Sequence, residues 1–384
     1  MTTGIALLGA TGSIGETAQR VVARHTDRFR FVALTANGNR DALSKAVAQW
    51  SPDYVGLVEP GTAPLPAGWG KGTDCLLEAA RHPDASIVLN AVVGAAGLGA
   101  TLAAVHAGKR VALANKESLV VGGALVQRAA RESGGEVIPV DSEHSALLQC
   151  LAGRVGGDGP GLLPVQGVRR FIITASGGPF RTWETERIRG ALLADALNHP
   201  TWAMGKKITV DSASLANKAL EVIEAHVLYG VPYDRIEVVV HPQSIVHSMV
   251  EFEDGSILAQ LGVPSMELPV LYALGYPDRV EDVGVPRFDP VAAASLTFEA
   301  VRHDAFPTLE LGVSSGRRGG AAPAVFNAAN EQAVARFLAG SLSFAGIPAA
   351  IGAALDRLAD LPGDDLPALL AADAAARTFV QEFR

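Results

Sequence analysis

Ile5-Ala6-Leu7-Leu8-Gly9-Ala10-Thr11-Gly12-Ser13-Ile14-Gly15 carries a short apolar run straight into three glycines spaced three apart. The run, residues 5–8, has the length of a buried strand, and a helical pattern continues from the glycines through Val22. Glycines at this junction permit a tight turn and let a pyrophosphate approach the backbone at a helix N-terminus. The spacing is a variant of the dinucleotide fingerprint, and its place between strand and helix carries the reading more than the spacing does. A second strand, 31–34, follows one crossover later. Further candidates at 54–58, 87–91, 110–114 and 137–140 alternate with helical stretches. Alternation of this kind implies a parallel sheet covered on both faces. Residues 1–150 are therefore expected to form a Rossmann-like, doubly wound nucleotide-binding domain.

Beyond that domain the texture changes. A glycine-rich connector, 153–167, leads to a strand at 170–174 and then to Ala175-Ser176-Gly177-Gly178. Strands at 236–240, 245–252 and 257–261 follow, the last two joined across an Asp254-Gly255 step that signals a hairpin. A central α+β catalytic domain with an active-site lid is expected over 151–275; the proline-rich piece 263–290 reads as a linker with turns, and the linker between domains is placed at 276–299. An alanine-rich helical domain then fills 300–384, with Pro323 placed to start a helix and Gly340 to end it.

At 384 residues with 48% hydrophobic and 19% charged residues, the chain reads as globular with ample core. Its net charge of −8 argues against nucleic acid as a partner, which calls for a basic face. Any anionic ligand must be held locally. Two cysteines, Cys75 and Cys150, support neither a disulfide framework nor a zinc cluster, which suits a reducing compartment. There is no signal-peptide pattern, and a cytoplasmic enzyme without membrane association is expected. The uncharged stretch 85–108 is long enough to span a bilayer, but Asn90, His106 and its glycines point instead to a strand, a turn and a helix.

Three groups of residues carry chemistry. An NAD-specific site ends its second strand in an acid that binds the ribose hydroxyls. Here that strand runs into Thr35-Ala36-Asn37-Gly38-Asn39-Arg40, with no acid and one cation, which predicts NADPH. Asp141 and Glu143 follow the strand at 137–140, two apart, and in extended chain their carboxylates point the same way. With Glu221 they form an all-oxygen set suited to Mg²⁺ or Mn²⁺ rather than zinc. The competing reading is a pair of loop acids in water. His144 reads as a packed or capping histidine.

The third group lies in the stretch from His199 to Glu221. His199, Trp202 and Met204 occupy an aperiodic loop that fits a lid over a ligand, with loop packing as its rival. A helix is expected to start with Asp211 or Ser212 as N-cap, burying Leu215, Ala219, Val222 and Ile223. Asn217, Lys218 and Glu221, with Ser212 and Ser214 at the mouth, would then form an anion site, most naturally for phosphate. A capped, solvated helix start explains that stretch equally. Ser176 and its glycines offer a hydroxyl and amides for an anion, or simply a turn. His241 and His247 border a β-ladder and read as structural.

The pieces GATGSIG, ANKESLV, PVDSEHSA, ASGGPFR, HPTWAMGKKITVDSASLANKALE, HPQSIVHSMVEFEDGS and NAANE closely resemble the 1-deoxy-D-xylulose 5-phosphate reductoisomerase family. The likeness runs from residue 5 to about 262 in order and spacing, and Asn327 to Glu331 extends it into the C-terminus. It implies a homodimer that uses NADPH and a divalent metal. The implied reaction converts 1-deoxy-D-xylulose 5-phosphate to 2-C-methyl-D-erythritol 4-phosphate, in the non-mevalonate route to isoprenoid precursors. By the resemblance, Asp141, Glu143 and Glu221 hold the metal, while Lys116, Ser142 and Glu143 meet the keto and hydroxyl end of the substrate. Ser176, Ser212, Asn217 and Lys218 hold the phosphate, with His199 on the lid beside Trp202 and Met204. Thr11, Gly12, Ser13, Ile14, Asn37, Gly38, Asn39, Asn115, Glu117 and Gly205 line the cofactor site, with Arg40 expected at the 2′-phosphate.

Two departures stand out. The family often has lysine where this chain has Gly38, and its Asp-Met-Arg or Asp-Met-Lys is here Ser265-Met266-Glu267. Two other functions compete with the one the resemblance implies. Another NADP-dependent dehydrogenase, such as a semialdehyde or homoserine dehydrogenase, has no need of three metal-directed carboxylates beside a phosphate pocket. A non-catalytic NADPH-sensing protein would bind cofactor without metal dependence.

Overall fold

The computed structural model describes residues 2–384 except Ala63, Gly157, Asp158, Pro160, Ala203 and Ala294. Parts of the glycine-rich connector and of the loop after His199 thus lie outside the described residues. The chain forms two compact units. The first comprises Met1–Ser118, Ala124–Ser145 and Ser265–Pro286, and the second Leu119–Gly123, Ala146–Pro264 and Arg287–Arg384. Both are discontinuous, where the sequence suggests contiguous domains.

The first unit is built on strands β1 (Thr3–Leu8), β2 (Phe29–Ala36), β3 (Tyr54–Leu57), β4 (Gly70–Lys71), β5 (Ile87–Asn90), β6 (Arg110–Leu113) and β7 (Glu136–Pro139). They make one sheet in the order β4-β3-β2-β1-β5-β6-β7, with every pairing parallel. This is the expected doubly wound arrangement. Ile5, Ala6, Leu7 and Leu8 are all buried, as an unbroken apolar run in a sheet covered on both faces should be. Between the strands run α1 (Ser13–Arg24), α2 (Arg40–Trp50), α3 (Asp74–Arg81), α4 (Leu98–His106), α5 (Lys116–Ser133) and α6 (Ser142–Cys150).

Two of the opening glycines are sterically required. Gly9 has φ +86°, and a Cβ there would lie 2.6 Å from the Ala91 carbonyl oxygen. A Cβ on Gly15 would lie 2.3 Å from the Gly9 carbonyl oxygen, so glycine lets α1 pack against the end of β1. The uncharged stretch 85–108 forms β5, a 3₁₀ turn (Ala95–Gly97) and α4. Among the described residues no helix is long and apolar enough to cross a membrane.

The proline-rich segment after Val263 is not the turn-filled linker that its composition suggests. It contains a helix, Glu267–Gly275, whose Val270, Leu271 and Leu274 are buried and which belongs to the first unit. Ion pairs hold it to α1: Glu267 with Arg20 at 3.1 Å and Arg24 at 2.7 Å, then Asp282 with Arg24 at 2.8 Å and His25 at 3.0 Å. Pro264 precedes this helix and Pro269 lies in its first turn, where no amide partner is lost, so neither proline excludes it.

The second unit holds β8 (Val168–Ala175), α7 (Thr185–Arg189), α8 (Leu193–Ala196), α9 (Lys206–Ser214), α10 (Ala216–Tyr229), β9 (Ile236–Val240), β10 (Val246–Phe252) and β11 (Ile257–Leu261). With α11 as the Glu267–Gly275 helix, the chain ends in β12 (Glu299–Ala300), α12 (Pro307–Arg318), α13 (Ala322–Leu338), α14 (Gly346–Leu358) and α15 (Leu366–Glu382). The sheet order is β11-β10-β8-β9-β12, mixed, with antiparallel outer pairings and β8 parallel to β9. Gly255, at φ +84°, closes the expected β10–β11 hairpin. The C-terminal helices do not pack as a separate domain. Val210, Leu215, Ala219 and Ile223 of the His199–Glu221 region share one core with Val325 and Phe326 of α13.

Candidate active site

In the first unit the candidate residues collect at the carboxyl ends of β6 and β7, where ligands of open α/β sheets bind. Asn115 caps α5, its Oδ1 accepting from the Ser118 amide at 3.1 Å, while its Nδ2 donates to the Val92 and Gly94 carbonyls at 2.8 Å. Asn115 is thus built into the frame of the site. Lys116 begins α5, and its ammonium pairs with Asp141 at 2.5 Å.

Asp141 and Glu143 are not in extended chain. α6 starts at Ser142, and Asp141 closes its first turn by accepting from the Glu143 amide at 3.2 Å. An aspartate with free amides ahead of it caps a helix rather than prolonging a strand. Asp141 also faces His144 Nδ1 at 3.1 Å, and His144 is fully buried. Burial opposes ionisation of Asp141, but the Lys116 ammonium and His144 outweigh it and hold the carboxyl well below the usual range. Ser142 donates its hydroxyl to Glu143 at 2.5 Å.

The glycine turn after β1 and the loop after β2 are largely exposed. Gly12 caps α1 by its backbone, and Gly12 and Ser13 are exposed, with Thr11 and Ile14 half-buried. After β2, Asn37 and Gly38 are exposed, and Asn39 caps α2 by accepting from the Ala42 amide at 3.1 Å. Arg40 opens α2 and donates to the Pro64 carbonyl. Glu59, which the sequence did not single out, donates its amide to the Asn37 carbonyl at 2.7 Å. Glu117 is buried and receives a 3.2 Å hydrogen bond from Asn115.

In the second unit the stretch from His199 to Glu221 is organised differently from the expectation. Two helices replace one: α9 starts at Lys206 after Gly205, and Leu215, at φ +60°, breaks the chain before α10. Asp211 and Ser212 therefore lie inside α9 and cap nothing. Asp211 is buried and paired with Lys207 at 2.6 Å, so tertiary contacts override its capping preference. Ser214 is buried, donating to the Asp211 carbonyl at 3.3 Å and accepting from the Ala216 amide at 3.3 Å where α10 begins.

Ser176, His199 and Ser212 nevertheless meet. His199 Nε2 lies 3.1 Å from the hydroxyl oxygens of both serines. Its Nδ1 accepts from the Thr201 amide at 3.1 Å and the Trp202 amide at 2.9 Å, which places the ring hydrogen on Nε2. Burial holds His199 below the usual histidine range, favouring this neutral form. Because both hydroxyl oxygens accept from that N–H, each keeps its own hydrogen to donate to an anion. Gly178, at φ +63°, lets the Ser176 loop lie on α9, since a Cβ there would approach the Ser212 carbonyl oxygen to 2.7 Å.

Asn217 and Lys218 sit in the first turn of α10. Asn217 donates to Glu221 at 2.5 Å, and the Lys218 ammonium pairs with the other oxygen of the same carboxylate. Trp202 and Met204 are half-buried, with the indole 6.3 Å from the His247 ring. Of the two departures, Glu267 is accounted for: it turns to Arg20 and Arg24. The sequence reading missed Asn330, which donates to Asp211 from 119 residues away, and nothing local announces such a pair.

Known proteins match the whole chain. The family model for 1-deoxy-D-xylulose 5-phosphate reductoisomerase matches residues 5–123, and its C-terminal-domain models match 137–229 and 261–379. A 1-deoxy-D-xylulose 5-phosphate reductoisomerase of Thermosynechococcus vestitus is 47% identical, covering 98% of this chain and 92% of its own. One from Ralstonia nicotianae is 48% identical, covering 99% and 97%. A crystal structure of DOX-P reductoisomerase with NADPH, fosmidomycin and magnesium superposes with TM-score 0.91 at 37% identity, covering 99% of this chain and 97% of that one. The Zymomonas mobilis enzyme with NADPH gives 0.88 at 40%, covering 99% and 98%.

Proposed function

Because this chain belongs to the 1-deoxy-D-xylulose 5-phosphate reductoisomerase family, we propose that it performs that reaction with the residues described above. The reaction is the NADPH- and divalent-metal-dependent conversion of 1-deoxy-D-xylulose 5-phosphate to 2-C-methyl-D-erythritol 4-phosphate, for the non-mevalonate isoprenoid pathway. The other dehydrogenases and the NADPH sensor are not favoured, since relatives that span the chain carry this one activity in their names.

The observation that carries the site assignment is the Ser176–His199–Ser212 cluster. The two hydroxyls, whose oxygens accept from the neutral imidazole and so keep their hydrogens, offer donors to a phosphate, and the Lys218 ammonium and Asn217 amide supply charge and a further donor. Asp141, Glu143 and Glu221 are the proposed metal ligands. Their donor chemistry fits Mg²⁺ or Mn²⁺: all three are carboxylates, and Lys116 holds Asp141 ionised. A divalent cation supplies Lewis acidity to the substrate carbonyl and the neighbouring hydroxyl, and NADPH supplies the hydride.

The protein's own groups do the rest. Lys116 places positive charge beside Asp141, where oxygen charge develops as the carbon skeleton rearranges. Ser142 and Glu143 receive the hydroxyl end of the substrate, and Trp202 and Met204 cover it against water. Phosphate binding supplies remote energy for that closure. Thr11 to Ile14, Asn37 to Arg40, Asn115, Glu117 and Gly205 form the proposed NADPH site, the first four at the N-terminus of α1.

A homodimer is part of the proposal. β11 is an edge strand whose Ile257, Leu258 and Leu261 are exposed, an arrangement that a second copy would cover. We also place the enzyme in the cytoplasm, in keeping with its two free cysteines.

One assay tests the reading: NADPH oxidation with 1-deoxy-D-xylulose 5-phosphate, with and without Mn²⁺ or Mg²⁺, repeated with NADH. Metal-dependent turnover that prefers NADPH, a preference weakened in Arg40→Ala, is expected. Equal kcat/KM for the two cofactors would overturn the cofactor assignment.

A further inference from the structure

Asp211 is 1% exposed in the middle of α9, and it has two partners of different kinds. Lys207, one turn back, pairs with Oδ2 at 2.6 Å, while Asn330 of α13 donates Nδ2 to Oδ1 at 2.9 Å. Asn330 is itself 0% exposed, and its own Oδ1 has no partner. An amide with an orphaned buried oxygen is a destabilising choice in an alanine-rich helix, where an aliphatic side chain would leave nothing unpaired. Packing alone does not explain Asn330. Its hydrogen bond to Asp211 does.

α13 is a firm base for such a bond. Arg377 of α15 ties to Glu331 at 2.7 Å and Asp373 at 2.6 Å, and Asn327 donates to Glu331 at 3.0 Å. On the other side, Ser212 follows Asp211 directly. Successive residues of a helix project about 100° apart, so fixing one side chain fixes the direction of the next. Holding Asp211 thereby holds the Ser212 hydroxyl, 3.1 Å from His199 Nε2.

We propose that Asn330 is a positioning residue for the reaction: by binding Asp211 it sets the rotation of α9 that aims Ser212 at the substrate phosphate. The proposal rests on the phosphate reading of the Ser176–His199–Ser212 cluster. Asn330 touches no substrate. It acts through Asp211 and the helix.

The test compares Asn330→Leu, Ser212→Ala and the double variant on 1-deoxy-D-xylulose 5-phosphate and on the same sugar without phosphate. Asn330→Leu keeps the branched heavy-atom skeleton and removes the donor. It should lower kcat/KM for the phosphorylated substrate about tenfold, chiefly through KM, the effect of one lost hydrogen bond to an anion. The dephosphorylated sugar and the KM for NADPH should change less than about twofold, within ordinary scatter of such effects. Ser212→Ala should show the same selectivity, and the double variant should be no worse than Ser212→Ala, because both changes disable one hydroxyl. If Ser212→Ala harms both substrates equally, the phosphate reading itself fails. If Ser212→Ala is selective but Asn330→Leu harms both substrates alike, or neither, Asn330 is structural and the proposal is overturned. Should the leucine variant not fold, Asn330→Ser, whose side chain is too short to reach Asp211, takes its place with the same expected outcomes.

Discussion

The Lys218 ammonium of α10 is ion-paired with Glu221, three residues on, and the two side chains are only 5% and 2% exposed. A proposed phosphate contact and a proposed metal ligand are therefore one electrostatic unit. Removing one partner of a buried pair costs about 3–5 kcal/mol, well above the ~1.5–3 kcal/mol of a single charge-assisted contact. Lys218→Ala should accordingly lower Tm as well as activity, with kcat/KM falling roughly tenfold to hundredfold from the lost phosphate contact. It should also harm the dephosphorylated sugar, because Glu221 loses a cation. Ser212→Ala should not. Equal behaviour of the two variants on both substrates would separate Lys218 from Glu221 and contradict the pairing.

The metal assignment predicts that Asp141→Asn cuts turnover by orders of magnitude while the KM for NADPH stays the same, since the change falls on a proposed cation ligand. Glu221→Gln should behave alike. Steady-state kinetics in a metal-buffered assay measure both. Full activity of the native enzyme in excess chelator would end the assignment.

Much of this protein is legible in its sequence because the decisive signals are local. The run Ile5–Leu8 and its glycines declare a buried parallel strand and the tight turn after it, and Asp254-Gly255 declares a hairpin. The errors share a cause. Asp211 is a good N-cap by type, yet it sits mid-helix because Lys207 and Asn330 satisfy it there. Asp141, expected in extended chain, obeys the capping rule that Asp211 breaks. α11 was hidden by prolines and is held by charges on α1, some 240 residues away in sequence. Which capping residue finds a tertiary partner is set by distant chain, and spacing does not report it.

His199 makes stability depend on pH in a definite direction. Burial lowers its pKa in the folded protein, so the unfolded chain takes up protons first as pH falls. The contribution is complete above the unfolded histidine value of about 6.5 and is lost as pH drops through the folded value. In thermal melts from pH 7.5 to 5.5, the native protein should lose Tm more steeply than His199→Gln, which has no such titration. Parallel slopes would show that burial does not hold the ring neutral.

The anchoring of α11 offers a graded series on stability. Arg20 is 55% exposed, so its pair with Glu267 contributes only about 0–1 kcal/mol in water. Arg24 serves two carboxylates, Glu267 and Asp282, whose side chain is 1% exposed, and its loss leaves Asp282 with His25 as its ion-pair partner. A covered carboxylate deprived of its guanidinium loses a charge-assisted contact worth about 1.5–3 kcal/mol. Arg20→Ala should therefore leave Tm nearly unchanged, Glu267→Ala should lower it modestly, and Arg24→Ala should lower it most. High salt should erase the Arg20 effect and spare most of the Arg24 effect, because buried pairs are screened least. Differential scanning calorimetry in low and high salt measures the series. If Arg20→Ala and Arg24→Ala are equally damaging, the helix is held by its apolar face, through Val270, Leu271 and Leu274, and the charges only decorate it.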